Sequence, residues 1–241
     1  MTENKPFWKS FLQPRRVGFF VSGILLLLIA YWGILYIIET TKIVPEELLP
    51  ASIDKTMAAE TYRFHTKSVI TIDTNEKVLS DIQGEKAGPD DLHVSGNMLD
   101  TEIDVYQIGD TTYRLDSMTK KWIVIENNSI FRESLLMAEL NPLSNFQFRQ
   151  LISTSYLGKE KIDGRKTYKI ECIPQIKNQW LNSYFKNLKY IIWIDKKDKL
   201  IKKAIVTAKS KEKDTGGLQM EVNLYDYGEK IEIKPPVQPN L

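Results

Sequence analysis

The sequence predicts an α+β protein: a large antiparallel sheet of about eleven strands, curved as a half-barrel, with helices on its concave face and one transmembrane helix ahead of it. Three observations lead there. From Tyr62 onwards most of the chain alternates apolar and polar residues with a period of two, the mark of half-buried strands. Turn signals, Gly109-Asp110 and Asp163-Gly164 above all, separate strands closely enough for neighbours in sequence to pair in space. An uncharged apolar run, Val17–Ile38, precedes all of this.

That run divides the chain. An α-helix needs about 20 apolar residues to cross roughly 30 Å of hydrocarbon, and Val17–Ile38 meets that length. A cleavable signal has a shorter core, about 7–15 residues, and a small-residue cleavage site; here the run ends in bulky Tyr36-Ile37-Ile38. A lipoprotein signal needs a cysteine just past the core, and the only cysteine is Cys172. The leader 1–16 carries Lys5, Lys9, Arg15 and Arg16 against Glu3, so the positive-inside rule puts it in the cytoplasm. The expected location is the plasma membrane, single-pass, with the C-terminal domain extracytoplasmic. Trp8, Phe11, Tyr31, Trp32 and Tyr36 suit interfacial anchoring.

Residues 39–50 read as a linker interrupted by Pro45 and Pro50, reaching at most roughly 40 Å. Ser52 as N-cap opens a helix to Tyr62. Strands follow at Tyr62–Ile72, Lys77–Glu85, Asp91–Met98, Thr101–Ile108, Thr111–Asp116 and Lys121–Ile125. Ile130–Leu140 then reads as a helix through Phe131, Leu135, Leu136 and Leu140, with a second at Ser144–Ser153. Strands resume at Tyr156–Ile162 and Arg165–Ile173 around Asp163-Gly164. Asn178–Leu188 places Trp180, Leu181, Tyr184, Phe185 and Leu188 on one helical face flanked by Lys177, Lys186 and Lys189. Strands Tyr190–Asp195, Leu200–Ser210, Leu218–Tyr227 and Lys230–Lys234 complete the outer domain, residues 51–235, before a short tail, 236–241.

Composition narrows function. The chain has 33 basic and 31 acidic residues, and its basic excess lies in the leader. The outer domain is therefore nearly neutral, and nothing points to nucleic acid. There are two histidines, His65 and His93, and one cysteine inside a strand pattern. No HExxH, CxxC, GxxxxGK[ST] or GxGxxG pattern occurs, so zinc, redox, P-loop and dinucleotide chemistry lack their residues; no catalytic residue, metal ligand or cofactor is nominated.

What remains is apolar surface. Phe64, Ile70, Ile103, Val105, Tyr113, Leu115, Leu135, Leu136, Leu140, Tyr168, Ile170, Met220, Val222 and Leu224 are the candidate lining of a cavity between sheet and helices, or else plain packed core. Trp180, Leu181, Tyr184, Phe185 and Leu188 are the candidate lid or membrane-docking face, or else a helix packed on the sheet.

From about Ala51 to Pro235 the chain resembles the LolA-like superfamily of lipoprotein and lipid carriers, most closely its LppX/LprG-type lipid-binding lipoproteins. The pieces that carry the resemblance are IDVYQIGDTTYRLD followed by KKWIVI, a helix ending in ELNPLSNF, YLGKEKIDGRKTYKIEC, and YIIWIDKKDKLIKKAIV, in that order. Asn141-Pro142 stands where Asp-Pro is usual, Gly158, Glu160 and Gly164 supply the hairpin, and Trp193-Ile194 the late strand. The resemblance implies a half-barrel closed by helices over an apolar cavity, and lipid or lipoprotein acyl chains as partners, beside the membrane itself. Members of that branch carry a lipobox cysteine or a cleaved signal, whereas this chain has neither and keeps a protein anchor. A non-catalytic, surface-tethered lipid-handling domain is the expectation. The alternative is an envelope-sensing or assembly module that works through a protein partner in the envelope.

Overall fold

In the computed structural model, residues 27–28, 30–32, 43–73, 75–126, 141–213 and 215–237 are described. The chain divides into two compact units, Met1–Ile43 and Val44–Leu241. In the first, Leu27, Leu28, Ala30, Tyr31 and Trp32 are helical with exposed side chains; the rest of Val17–Ile38 lies outside the described residues. Among the described residues no helix is long and apolar enough to cross a membrane.

The second unit is one open sheet of eleven strands: β1 (Thr61–Ile72), β2 (Asn75–Ala87), β3 (Asp91–Met98), β4 (Thr101–Ile108), β5 (Thr111–Leu115), β6 (Trp122–Ile125), β7 (Phe148–Ile162), β8 (Arg165–Ile176), β9 (Phe185–Asp195), β10 (Ile201–Ser210) and β11 (Gly217–Tyr225). Their order is β6-β5-β4-β3-β2-β1-β11-β10-β9-β8-β7, and every neighbouring pair is antiparallel. Two meanders, β1–β6 and β7–β11, are thus joined side by side through β1 and β11.

The hairpins follow from turn chemistry. Asp163 (φ 48°) and Gly164 (φ 77°) both take the left-handed conformation that a two-residue type I′ turn requires. Leu99 (φ 49°) and Asp100 (φ 62°) make the same kind of turn between β3 and β4 without a glycine, which the sequence does not announce.

Four expected elements differ. The helix expected at Ser52 starts at Pro45 and forms α1 (Pro45–Met57), so half of the expected linker is helical. Pro45 opens the helix, where its missing N–H costs nothing, and Glu46 and Glu47 suit the positive end of the helix dipole; Ser52 is buried inside the helix rather than capping it. The helix expected at Ser144–Ser153 is a single 3₁₀ turn, Pro142–Phe146, after which the chain enters β7. The Ile, Ser and Thr residues that follow suit an extended backbone better than a helix. The helix expected at Asn178–Leu188 stops after six residues as α2 (Gln179–Tyr184), capped by the Asn178 side chain, which accepts from the Leu181 N–H at 3.0 Å. Phe185 to Leu188 belong to β9 because the far half of β10 pairs with them. Lys230–Lys234 forms no strand. The helix expected at Ile130–Leu140 lies outside the described residues.

One face of the sheet carries the core. Leu49 and Ile53 of α1, Leu143 and Phe146 of the 3₁₀ turn and Leu181 of α2 join one cluster with alternate residues of the strands. α1 crosses strands rather than following one. Near its start Glu46 Oε1 accepts from Thr154 Oγ1 of β7 at 2.8 Å; near its end Thr56 Oγ1 accepts from the Ile201 N–H at 3.0 Å, and Lys55 Nζ donates to the Asp198 carbonyl at 2.7 Å. β7, at the free edge, shifts register against β8 three times, between Phe148 and Gln150, Leu151 and Ser153, and Tyr156 and Gly158.

The other face is mostly polar, with an aromatic patch of Tyr106, Tyr113 and Trp122 toward the β6 edge. Arg63 reaches Glu85 at 3.1 Å and Asp226 at 3.0 Å, His65 meets Asp81 at 2.7 Å, and Lys203 meets Glu221 at 2.7 Å. His93, within 2.9 Å of Asp104, stacks on Tyr106. Exposed pairs of this kind contribute little each, so the stability of the sheet rests on the apolar face.

At the β9–β10 turn Asp195 is only 1% exposed. Its Oδ1 accepts the backbone N–H groups of Lys197 at 2.8 Å and Asp198 at 2.9 Å, and its Oδ2 accepts from Arg165 Nε at 2.7 Å. Burial pushes its carboxyl up, but the two backbone donors and the guanidinium outweigh it and hold the group below the usual carboxylate range. A carboxyl lowered on folding stabilises above its unfolded value, near pH 4, and loses that contribution as pH falls through its folded value. Asp195→Asn should therefore lower stability at neutral pH by about 1–3 kcal/mol and flatten its fall on acidification, read by urea unfolding from pH 7 to pH 2.

Candidate functional site

The inner face is built of rows that run across the strands, because directly paired residues of antiparallel strands share a side. One row is Ile192, Ala204, Val222, Thr66, Ile82, Gly96 and Ile103. The next is Cys172, Tyr190, Val206, Met220, Ser68, Ser80 and Met98. A third contains Leu224, Phe64, Gly84, Val94 and Val105. On the central strands small residues (Ala204, Thr66, Ser68, Ser80, Gly84, Gly96) are interspersed with large apolar ones such as Phe64, Ile82, Met220 and Leu224. The Phe64 ring lies over Gly84, where an added Cβ would come within 2.4 Å of the ring.

Of the nominated lining, Phe64, Val105, Ile170, Met220, Val222 and Leu224 are buried on this face, with Ile70 and Ile103 half-buried against its cluster. Tyr168 is buried on the same side, edge to face with Tyr156 and beneath the Lys199 ammonium. Tyr113 and Leu115 are a correction. Val105 pairs with Arg114, so Arg114 faces inward, and Tyr113 and Leu115 point to the opposite face with Tyr106 and Trp122. Leu135, Leu136 and Leu140 lie outside the described residues.

The candidate lid divides. Leu181 is 1% exposed, and it, Phe185 and Leu188 belong to the core cluster, whereas Tyr184 is 49% exposed; the side chain of Trp180 is outside the described residues. Lys189 pairs with Glu171 at 3.2 Å. Tyr184 and Phe185 border an open cleft of about 230 Å³ at one end of the sheet, with Ile70, Ile72 and Leu79 as its other apolar walls. Ile72 and Leu79 were not nominated from the sequence; their only signal is that they flank the β1–β2 turn. At the opposite end a larger cleft, about 710 Å³, is walled by charged groups including Lys55, Asp163, Arg165, Asp198, Lys202 and Glu229.

Two features mark the interior chemically. Burial pushes the Cys172 thiol up to about 12, so it stays protonated and behaves as a small apolar group. The hydroxyls of Tyr190 and Thr66, and that of Ser52 on α1, are buried without a hydrogen-bond partner among the described residues.

An open antiparallel sheet with one apolar, helix-bearing face defines a class that comparison with solved structures identifies. The lipoprotein LppX of Mycobacterium tuberculosis superposes with a TM-score of 0.51 at 18% identity, over 79% of this chain and 100% of that one. LprF from Mycobacterium bovis superposes with a TM-score of 0.52 at 13% identity, over 80% and 97%. A LolA-superfamily protein from Nitrosomonas europaea matches at 0.32 and 11% identity over 80% and 96%, too loosely to carry an argument. No protein-family profile matches the chain, and no curated protein matches it. The fold is the one seen in LppX and LprF.

The burial of α2 sets a test. Leu181→Ala should cost about 2–5 kcal/mol in unfolding free energy, while Tyr184→Ser, at an exposed position, should change it by no more than about 0.5 kcal/mol.

Proposed function

We propose that this chain is a membrane-anchored, extracytoplasmic and non-catalytic domain that holds a lipid or other amphiphile in an apolar cavity between the inner face of the sheet and its helices. The observation that carries the proposal is the inner face itself: continuous apolar rows across the sheet, small residues at its middle, in a fold shared with LppX and LprF. In this reading the sheet curls about that face, and the nominated inward residues, with Leu135, Leu136 and Leu140, line the cavity. Small residues interspersed among the large apolar ones leave room for a chain without exposing it to water. The cleft bordered by Tyr184, Ile72 and Leu79 is its mouth, and the α2 region meets the bilayer. Val17–Ile38 anchors the domain, with the leader in the cytoplasm and the linker keeping the cavity close to the membrane surface. The exposure of Leu27, Leu28, Tyr31 and Trp32, all large and apolar, supports that role.

Mass spectrometry of organic extracts from the purified full chain should find a co-purifying lipid. Val222→Trp and Ile170→Trp should each remove it and leave the fold intact, because a void accepts added volume. If the interior is packed instead, the same substitutions cost about 1–3 kcal/mol, and no lipid in the parent protein would sink the proposal in favour of an envelope assembly module.

Topology is tested separately. With Cys172 buried and silent, a thiol reagent that cannot cross membranes should label Lys213→Cys in intact cells and leave Ser10→Cys unlabelled. The reverse pattern would remove the proposed orientation.

A further inference from the structure

Tyr190 and Thr66 are each 0% exposed, and neither hydroxyl has a hydrogen-bond partner among the described residues. Leaving a buried hydroxyl unpaired costs about 1–3 kcal/mol, and native interiors rarely tolerate it without a use. Packing does not explain the choice of residue, because valine has the shape of threonine and phenylalanine that of tyrosine. Their described neighbours in the sheet are apolar. Thr66 lies between Val222 and Ile82 in its row, and Tyr190 between Cys172 and Val206, with the Phe148 ring edge-on at 5.1 Å.

Each position therefore presents an O–H donor within an otherwise apolar interior. We propose that the hydroxyls of Tyr190 and Thr66 are specificity determinants of the amphiphile cavity, each donating to an ester or comparable carbonyl oxygen carried among the ligand's hydrocarbon chains. The inference rests on the cavity reading above and narrows it: the ligand is a carbonyl-bearing lipid rather than a plain hydrocarbon. Tyr190 on β9 and Thr66 on β1 stand three strand spacings apart, roughly 14 Å between backbones. They serve two separate acceptors, as in a lipid with more than one acyl linkage.

The test uses the full chain kept soluble with amphipol and two fluorescent probes of equal length, a pyrene-labelled long-chain diester with its two ester groups set well apart and a pyrene-terminated alkane. Tyr190→Phe and Thr66→Val should each weaken ester binding by about tenfold, leave alkane binding unchanged, and keep or raise the melting temperature. The double variant should lose about a hundredfold, since the two donors act on different acceptors. Equal weakening of both probes, or no change in either, overturns the assignment while leaving the cavity standing. A parent protein that binds neither probe overturns the cavity reading and this inference with it.

Discussion

The fold depends on the pairing of β1 with β11. Every other neighbouring pair in the sheet is joined by a hairpin or a short excursion, so its partners find each other through local chain. β1 and β11 lie at opposite ends of the domain sequence, yet nine residue pairs from Arg63↔Tyr225 to Thr71↔Gly217 bring them together. Without that seam there are two separate meanders, neither wide enough to complete the inner face. With it, Phe64, Thr66, Ser68 and Ile70 continue the rows begun by Leu224, Val222, Met220 and Leu218. The small residues at the middle of the face come from both meanders, so the candidate site exists only once the seam has formed.

The two faces divide the labour. On the polar face, cross-strand pairs such as Lys203 with Glu221 keep the sheet hydrated and set which side may face in. On the apolar face, α1 acts as a strap from β7 to the β9–β10 turn, fixed by hydrogen bonds near both ends. The two ends of the sheet differ in the same spirit: one opens on Ile72, Leu79 and Tyr184, the other is walled by charges around Arg165. Among the described residues, the two ends therefore present walls of opposite character, one apolar and one charged.

Much of this was legible in the sequence wherever alternation was strict. In β8 and β11 apolar residues recur at every second position, in β1 they do so around Thr66 and Ser68, and Phe64, Ile170, Met220, Val222 and Leu224 all lie on the inner face. Alternation says less where both sides of a strand are similar. In β5, Thr112 and Arg114 alternate with Tyr113 and Leu115, and the hairpin register, not hydrophobicity, turned the larger pair outward. Spacing misled in the stretch around Phe185 and Leu188, which fit a helical face but are claimed by β10 through backbone pairing that no local pattern encodes. The unpaired hydroxyls of Tyr190 and Thr66 were invisible too, since a hydroxyl's partner is a matter of three dimensions.

The three register shifts of β7 have a bearing beyond this domain. A straight edge strand of fifteen residues, uncharged from Gln150 to Gly158, would be a template for a stranger's backbone. Each irregularity bends and twists the strand locally, so successive N–H and C=O groups no longer point along one line. Another copy can match a few of them but cannot zip along the whole edge. A strand kinked in this way is a poor seed for the edge-to-edge polymerisation that crowding promotes.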